Sequence, residues 1–455
     1  MPTMKNTRSI SVFLRRNGAA LLCTAGLYIL MYQVVYGFRL SSGHLSDYNA
    51  HMLWALGLRG KDVLASFYDG SIRLWHICVK YVFELFLHNT WKATAAVTAA
   101  ADAAAYFLLF KIWDRALEEK FPRWALAILC ASVFFVNGLM LPGGAFYIKN
   151  DVVQSAVNTW HNPTNIMVRP FALAVFYMTV NIYNRRLYGR DCILPPPESE
   201  NRFSFEGGFR QQFRRPVFTR KELALYPLCV LFSAYAKPSF LQFFCPAIFV
   251  LLVIDVIRTK GMLLPFAVKL AVPYLPAAAI VLRQFRYAFN QGVIDSGQVV
   301  EAVESSVTGG PHGVQIYLSQ EGAFTLSGLL SQAAQWLPLL LFCALPIFLL
   351  AIDPKRGFGG AVTRLGFLCA VAGRLEAVVF HETGSRATHG NFLWGFSLAA
   401  WVFWTAAIGR YAELLPSKTT AGKLARYGGT ALLAWHLAVG VAYVVLILRT
   451  HDYLY

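Results

Sequence analysis

Apolar residues in this chain gather into long uninterrupted runs separated by short polar stretches, a pattern with neither the alternation of strands nor the narrow stripe of soluble helices. Eleven runs are long enough to cross a bilayer: 18–38, 91–112, 123–142, 164–184, 221–236, 239–257, 262–282, 332–352, 364–380, 391–409 and 428–448. The fifth is short, and the ninth contains Arg374 and Glu376, which would have to face protein or a wet cavity. A further apolar stretch, 72–88, carries Arg73, His76, Lys80 and Glu84 at near-helical spacing. A polar stripe of that kind suits a helix lying in the membrane interface better than one crossing it.

Charge placement tests this arrangement. With the N-terminus in the cytoplasm, Arg15, Arg16, Lys111, Arg115, the nine Lys and Arg of loop 185–221, Lys355, Arg356, Lys423 and Arg426 all fall inside, as cytoplasmic loops require. If 72–88 spanned the bilayer, every later basic loop would face outward. The formal net charge of +17 is then a topological signal that also touches anionic inner-leaflet lipids, and nucleic acid is not needed to explain it. Composition agrees: of 455 residues, 56% are hydrophobic and 14% charged, against about 25% charged in soluble proteins. Gly18 to Phe38 lacks a small-residue cleavage site and reads as a retained first helix. The eight cysteines form neither CxxC nor another ligand spacing, which supports no zinc site and no disulfide framework. The expectation is one polytopic domain over 1–455, an all-α integral membrane protein of about 11 transmembrane helices in the plasma (inner) membrane.

This topology places the unusual polar residues in the outer segments 39–90, 143–163, around 237, 283–331 and 381–390. Asp47 and His51 follow the first span and are four residues apart, so a helix would put them on one face; an amphipathic surface helix would do the same. Asp151, Trp160, His161 and Asn162 precede Pro163, which sets a rigid helix start before Arg169. Arg169 suits either an anion or snorkelling to the interface. Lys237 lies in a very short outer turn, against the positive-inside trend, where it could hold a phosphate as a point charge or merely mark the turn. Glu382, Arg386 and His389 crowd ionisable groups into ten residues, for a site or for a salt-bridged loop. Asp102, among alanines in the second span, reads as structural unless it lines a cavity. Together the cations suit phosphate, the carboxylates suit a general base, and Tyr48, Tyr147, Trp160 and Trp394 suit sugar faces.

Ser46-Asp47-Tyr48-Asn49-Ala50-His51, an acidic residue soon after the first span, is followed by amphipathic juxtamembrane segments opening at Leu74-Trp75-His76. This layout resembles the GT-C class of membrane glycosyltransferases, in its detail over residues to about 145 and in topology over the whole chain. The resemblance implies a GT-C-like fold and a polyprenyl-phosphate sugar donor. It also implies a glycan or lipid-linked acceptor and transfer of a hexose or pentose at the outer face. Asp47 matches the position of the family's catalytic aspartate and would be the general base. Arg169, Lys237, Arg386 and His389 would neutralise donor phosphate; His51, Asp151, Trp160, His161 and Glu382 would contact substrate. The first outer loop lacks a DxD or ExD pair, which favours an enzyme without metal or other cofactor. Loop 283–331 would close over the site as a lid.

Two other classes fit parts of the pattern. A polysaccharide polymerase or ligase using polyprenyl-diphosphate glycans would share the basic outer loops. A lipid-linked sugar transporter would show internal repeats and broken helices at the midplane, and no repeat between the halves is evident.

Overall fold

A computed structural model describes residues 3–40, 47–58, 73–117, 120–138, 158, 160, 162–195, 209–290, 313–316, 336–383 and 391–451. The first apolar run lies in α1 (Thr3–Gly37). It is followed by the short helices α2 (Asp47–Gly57) and α3 (Leu74–Val82). The main body comprises α4 (Thr90–Leu117), α5 (Arg123–Ser132), α6 (Pro163–Tyr188), α7 (Arg220–Ala236) and α8 (Ser239–Arg258). It continues with α9 (Leu264–Ala271), α10 (Leu275–Asn290), α11 (Ala344–Ile352), α12 (Ala361–Val379), α13 (Asn391–Leu414) and α14 (Thr430–Thr450).

Among the described residues, seven helical stretches are long and apolar enough to cross a membrane: Arg16–Leu40, Thr90–Leu117, Pro163–Tyr188, Ser239–Arg258, Leu264–Arg286, Phe392–Leu414 and Thr420–Thr450. Many apolar side chains on them face away from the protein, among them Leu22, Phe249, Ile257, Leu275 and Leu282. A soluble monomer rarely tolerates such exposure over contiguous patches, whereas hydrocarbon welcomes it, and the chain is a helical membrane protein.

The remaining apolar runs are also helical, with differences that have local causes. The run expected over 123–142 forms a helix only to Ser132, ten residues in all. The chain then turns, and the carbonyls of Val133 and Val136, just past the helix, accept hydrogen bonds from Asn158 Nδ2 at 3.0 and 2.7 Å, so a distant side chain satisfies the carbonyls of the turn. The 332–352 run breaks at Cys343 between Leu337–Phe342 and α11. The 72–88 stretch forms α3, which runs on as a π-helical turn over Phe83–Leu87; together they rise about 20 Å, short of the roughly 30 Å hydrocarbon core. Trp75 anchors α3 to α4 by donating from Nε1 to Thr98 Oγ1 at 3.0 Å.

One departure from an all-helical chain is a two-stranded antiparallel ribbon. Strand β1 (Gly313–Ile316) pairs with β2 (Phe380–Thr383), Val314 opposite Glu382. The backbone of Glu382 therefore ties the 283–331 segment to the end of α12.

The core runs through α4, α6, α8, α12 and α13, filled by Trp113, Trp401, Trp404, Tyr106, Phe110 and Phe134. At one end the bundle is clasped by ion pairs. Asp114 of α4 meets Arg123 at 2.8 Å. Asp255 of α8 takes Arg364 of α12 at 3.0 Å and the hydroxyl of Tyr183 of α6. Arg410 of α13 binds Asp353 and Glu413. The candidate site lies at the other end, where α6, α8 and α13 begin and α7 and α12 finish.

Candidate functional site

Asparagine, proline and threonine at positions 162–164 give α6 a strong start. Asn162 is the N-cap and its Oδ1 accepts from the backbone N–H of Asn165 at 3.0 Å, while Pro163 takes the first helical position. That carbonyl oxygen also accepts from Thr164 Oγ1 at 3.0 Å and from Lys237 Nζ at 3.1 Å. The other end of the same amide, Nδ2, donates to Asp47 Oδ2 at 2.9 Å. Asn162 thus links the carboxylate that opens α2 to the ammonium that closes α7.

Lys237 reaches this position because α7 cannot continue. Its backbone is extended, with φ −162° and ψ 122°, as expected before Pro238, and α8 starts at Ser239. The lysine is buried, and its ammonium lies 5.6 Å from the centre of the Trp394 ring, within cation–π range. Trp394 is in the first turn of α13, and its carbonyl accepts from Asn165 Nδ2 at 3.4 Å. Four helix ends therefore converge on one carboxylate, one ammonium and one indole face. Glu376, in the last turn of α12, borders the group: a Cβ added at Gly395 would stand 3.3 Å from Glu376 Oε2 and 3.9 Å from Cβ of Ser239. Glu376 Oε2 is buried with no hydrogen-bond partner among the described residues.

His51 lies one turn beyond Asp47 on α2, as the spacing predicts, but its hydrogen bond goes elsewhere. Its Nδ1 is 2.8 Å from Nε2 of His76 on α3. The indoles of Trp54 and Trp75 stand edge-on to both rings. Burial, with the charge of Arg73, pushes His76 down to about 3. Burial followed by His76, Lys237 and Arg73 holds His51 well below the usual histidine value. Both imidazoles are therefore neutral near pH 7, and His51 brings no positive charge to a phosphate.

Two expected site residues serve packing instead. Arg169, anticipated as a phosphate ligand, is buried in α6 and donates from Nη1 to Asp102 Oδ1 at 2.7 Å and from Nη2 to Asn158 Oδ1 at 3.2 Å. Its guanidinium stacks 5.1 Å from Trp401 and 5.8 Å from Phe134. The charge of this cation is already neutralised by a buried carboxylate, and that partner is the Asp102 that looked structural. Trp160, anticipated as a sugar platform, is buried against Phe135, and its carbonyl accepts from Tyr48 Oη at 3.0 Å. Its ring is core rather than a surface for a sugar.

Asp151, His161, Arg386 and His389 lie outside the described residues, and for Glu382 only its backbone pairing in the ribbon is described. Asn162 and His76 were not singled out as site residues by sequence. The signal for the first was present, since Asn-Pro-Thr is an N-cap followed by Pro at N1. For His76 no local signal exists, because its partner is 25 residues away. Among the described residues no group of three or more His, Cys, Asp or Glu could hold a metal ion.

Comparison with family models, curated proteins and solved structures gives no match. Function must therefore be argued from the site itself. Its chemistry is that of a carboxylate and a buried ammonium bridged by one side-chain amide, with an indole ring beside the ammonium.

Proposed function

We propose that this protein is a membrane glycosyltransferase that takes a sugar from a polyprenyl-phosphate carrier, with Asp47 as general base. The observation that supports it is the Asp47–Asn162–Lys237 chain at the meeting of four helix ends. A proton acceptor and a cation held at fixed separation are what displacement from a phosphate leaving group requires. In this reading the carrier enters sideways from the bilayer and its phosphate settles against Lys237, with Arg386 and His389 as further contacts from the 381–390 segment. The charge that grows on the leaving phosphate meets a preorganised ammonium, which is where such groups lower a barrier most. An acceptor hydroxyl attacks the anomeric carbon, its proton passes to Asp47, the new C–O bond forms as the bond to the phosphate oxygen breaks, and the centre inverts. Glu376 offers an unclaimed carboxylate oxygen to sugar hydroxyls. The reading carries with it the GT-C-like fold, eleven spans, a cytoplasmic N-terminus and a site on the outer face of the plasma (inner) membrane. Arg169 has no part in it.

The test is transfer of labelled sugar from a short-chain polyprenyl-monophosphate donor by purified protein with chelator present. Wild-type turnover that Asp47→Asn abolishes, in a protein that still folds, is the expected result. Undiminished turnover by the variant removes Asp47 as the base. Binding of diphosphate carriers with no turnover of monophosphates moves the assignment to a polymerase or ligase.

A further inference from the structure

We infer that His76 is a positioning residue that presets His51 as a neutral Nε2–H donor aimed at a phosphoryl oxygen beside Lys237. The proton positions follow from the hydrogen bonds alone. The backbone N–H of Arg73 donates to His76 Nδ1 at 3.0 Å, so that nitrogen is bare. A neutral imidazole with bare Nδ1 carries its proton on Nε2. That proton points at His51 Nδ1, 2.8 Å away, which must accept and therefore is bare as well. His51 in turn carries its proton on Nε2. A doubly protonated His51 would need His76 with neither nitrogen protonated, and a doubly protonated His76 would collide with the Arg73 N–H. One arrangement remains.

The free end of this chain belongs to a residue on the Asp47 face of α2. His51 is only partly buried, and its Nε2 has no partner among the described residues. It shares a helix face with Asp47 at i+4, and Lys237 is near enough for its charge to oppose protonation of the ring. An N–H donor beside an ammonium suits an anionic oxygen, since hydrogen bonds to charged acceptors are the stronger ones. The edge-on indoles of Trp54 and Trp75 restrict ring flipping, so the donor is held as well as protonated. Histidines whose second nitrogen fixes the tautomer of the working one are a common device at metal sites; here the helix N-terminal backbone of α3 plays the part of the fixing group.

The inference rests on the phosphate-binding part of the proposed function but not on sugar transfer. The experiment uses the full chain, ¹⁵N-labelled at histidine, in lipid nanodiscs, with a short-chain polyprenyl monophosphate as probe and His51→Gln to assign the His51 signals. At pH 7 the expected spectrum shows His51 with bare Nδ1 and protonated Nε2, and the Nε2 signal moves when the probe is added. His76→Phe, which cannot donate, should give a mixture of His51 tautomers and weaken probe binding by about five- to tenfold, the worth of one hydrogen bond. His76→Gln keeps an N–H near the Nε2 position and should restore both. A merely structural His76 would change stability without this rescue and without moving the His51 tautomer. A proton on His51 Nδ1 in the wild type, or probe binding equal in His76→Phe and wild type, overturns the inference. The wild-type spectrum alone decides the tautomer if His76→Phe does not fold. Probe binding with the expected spectrum but no sugar transfer would overturn the proposed function and leave this inference standing.

Discussion

The Arg169–Asp102 pair gives the sharpest test of how the buried polar groups are divided between structure and function. Its two side chains are 5% and 3% exposed, so neither charge has water to fall back on. Asp102→Ala leaves the guanidinium enclosed by Trp401 and Phe134 with Asn158 as its remaining described hydrogen-bond partner, and breaking a buried pair in this way costs about 3–5 kcal/mol. Arg169→Met strands Asp102 at a similar cost. Removing both charges, as in Asp102→Leu with Arg169→Met, takes away the reason for the penalty. What is lost is then the Asn158 hydrogen bond, about 1 kcal/mol, and the cation–π contacts, about 0.5–2 kcal/mol, part of which the methionine recovers by packing. The double variant should therefore lie within about 2 kcal/mol of wild type, far better than the sum of the singles. Independent sites would add to within about 0.5 kcal/mol. The assay is equilibrium unfolding in mixed micelles titrated with SDS and followed by tryptophan fluorescence, together with sugar transfer. A cost below about 1 kcal/mol for Asp102→Ala, or strict additivity, would refute the reasoning. A double variant that folds and transfers sugar assigns Arg169 to the scaffold; one that folds but has lost only transfer would return Arg169 to the phosphate.

Two further outcomes follow from the geometry. His76 has a folded value of about 3 against about 6.5 unfolded, so below pH 6.5 the unfolded chain binds the extra proton. The stability from its neutral burial is complete above that pH and drains away as pH falls toward 3, with a limiting slope of about 1.4 kcal/mol per pH unit. Melting temperature between about pH 4.5 and 7.5 should fall less steeply in His76→Gln than in wild type, and identical slopes would count against the burial of His76. Gly440→Ala addresses α14: a Cβ there would run into the Phe135 carbonyl oxygen, close to where His436 binds the Asn137 carbonyl. Backbone cannot step aside as a side chain can, so a loss of about 1–3 kcal/mol or more is expected. An unchanged melting temperature would show that α14 does not rest on this turn.

What was legible in the sequence was whatever one segment decides by itself. The apolar runs could be read because a bilayer-scale helix declares itself in twenty consecutive residues. Asp47, Lys237, Trp394 and Glu376 stood out because charge or an indole at the end of an apolar run needs a reason. The pairing of those residues was not legible. Arg169 and Asp102 are separated by 67 positions and Asp47 and Asn162 by 115, and a lone cation offers the same sequence signal whether it awaits a phosphate or is already neutralised. The early stop of α5 is a similar case, since the amide that satisfies the carbonyls of the turn after it belongs to Asn158, more than twenty residues on.

The sequence by itself therefore determined the class of the protein, the approximate places of its apolar helices and the list of groups with unusual chemistry, because propensity and hydropathy are local properties. Only the tertiary structure decided which of those groups pair with one another. Burial removes water as the alternative partner, so each buried polar atom must be satisfied by whichever group packing brings within about 3 Å. Packing gave Arg169 to Asp102 and His51 to His76, and it brought Asp47 and Lys237 to the same amide.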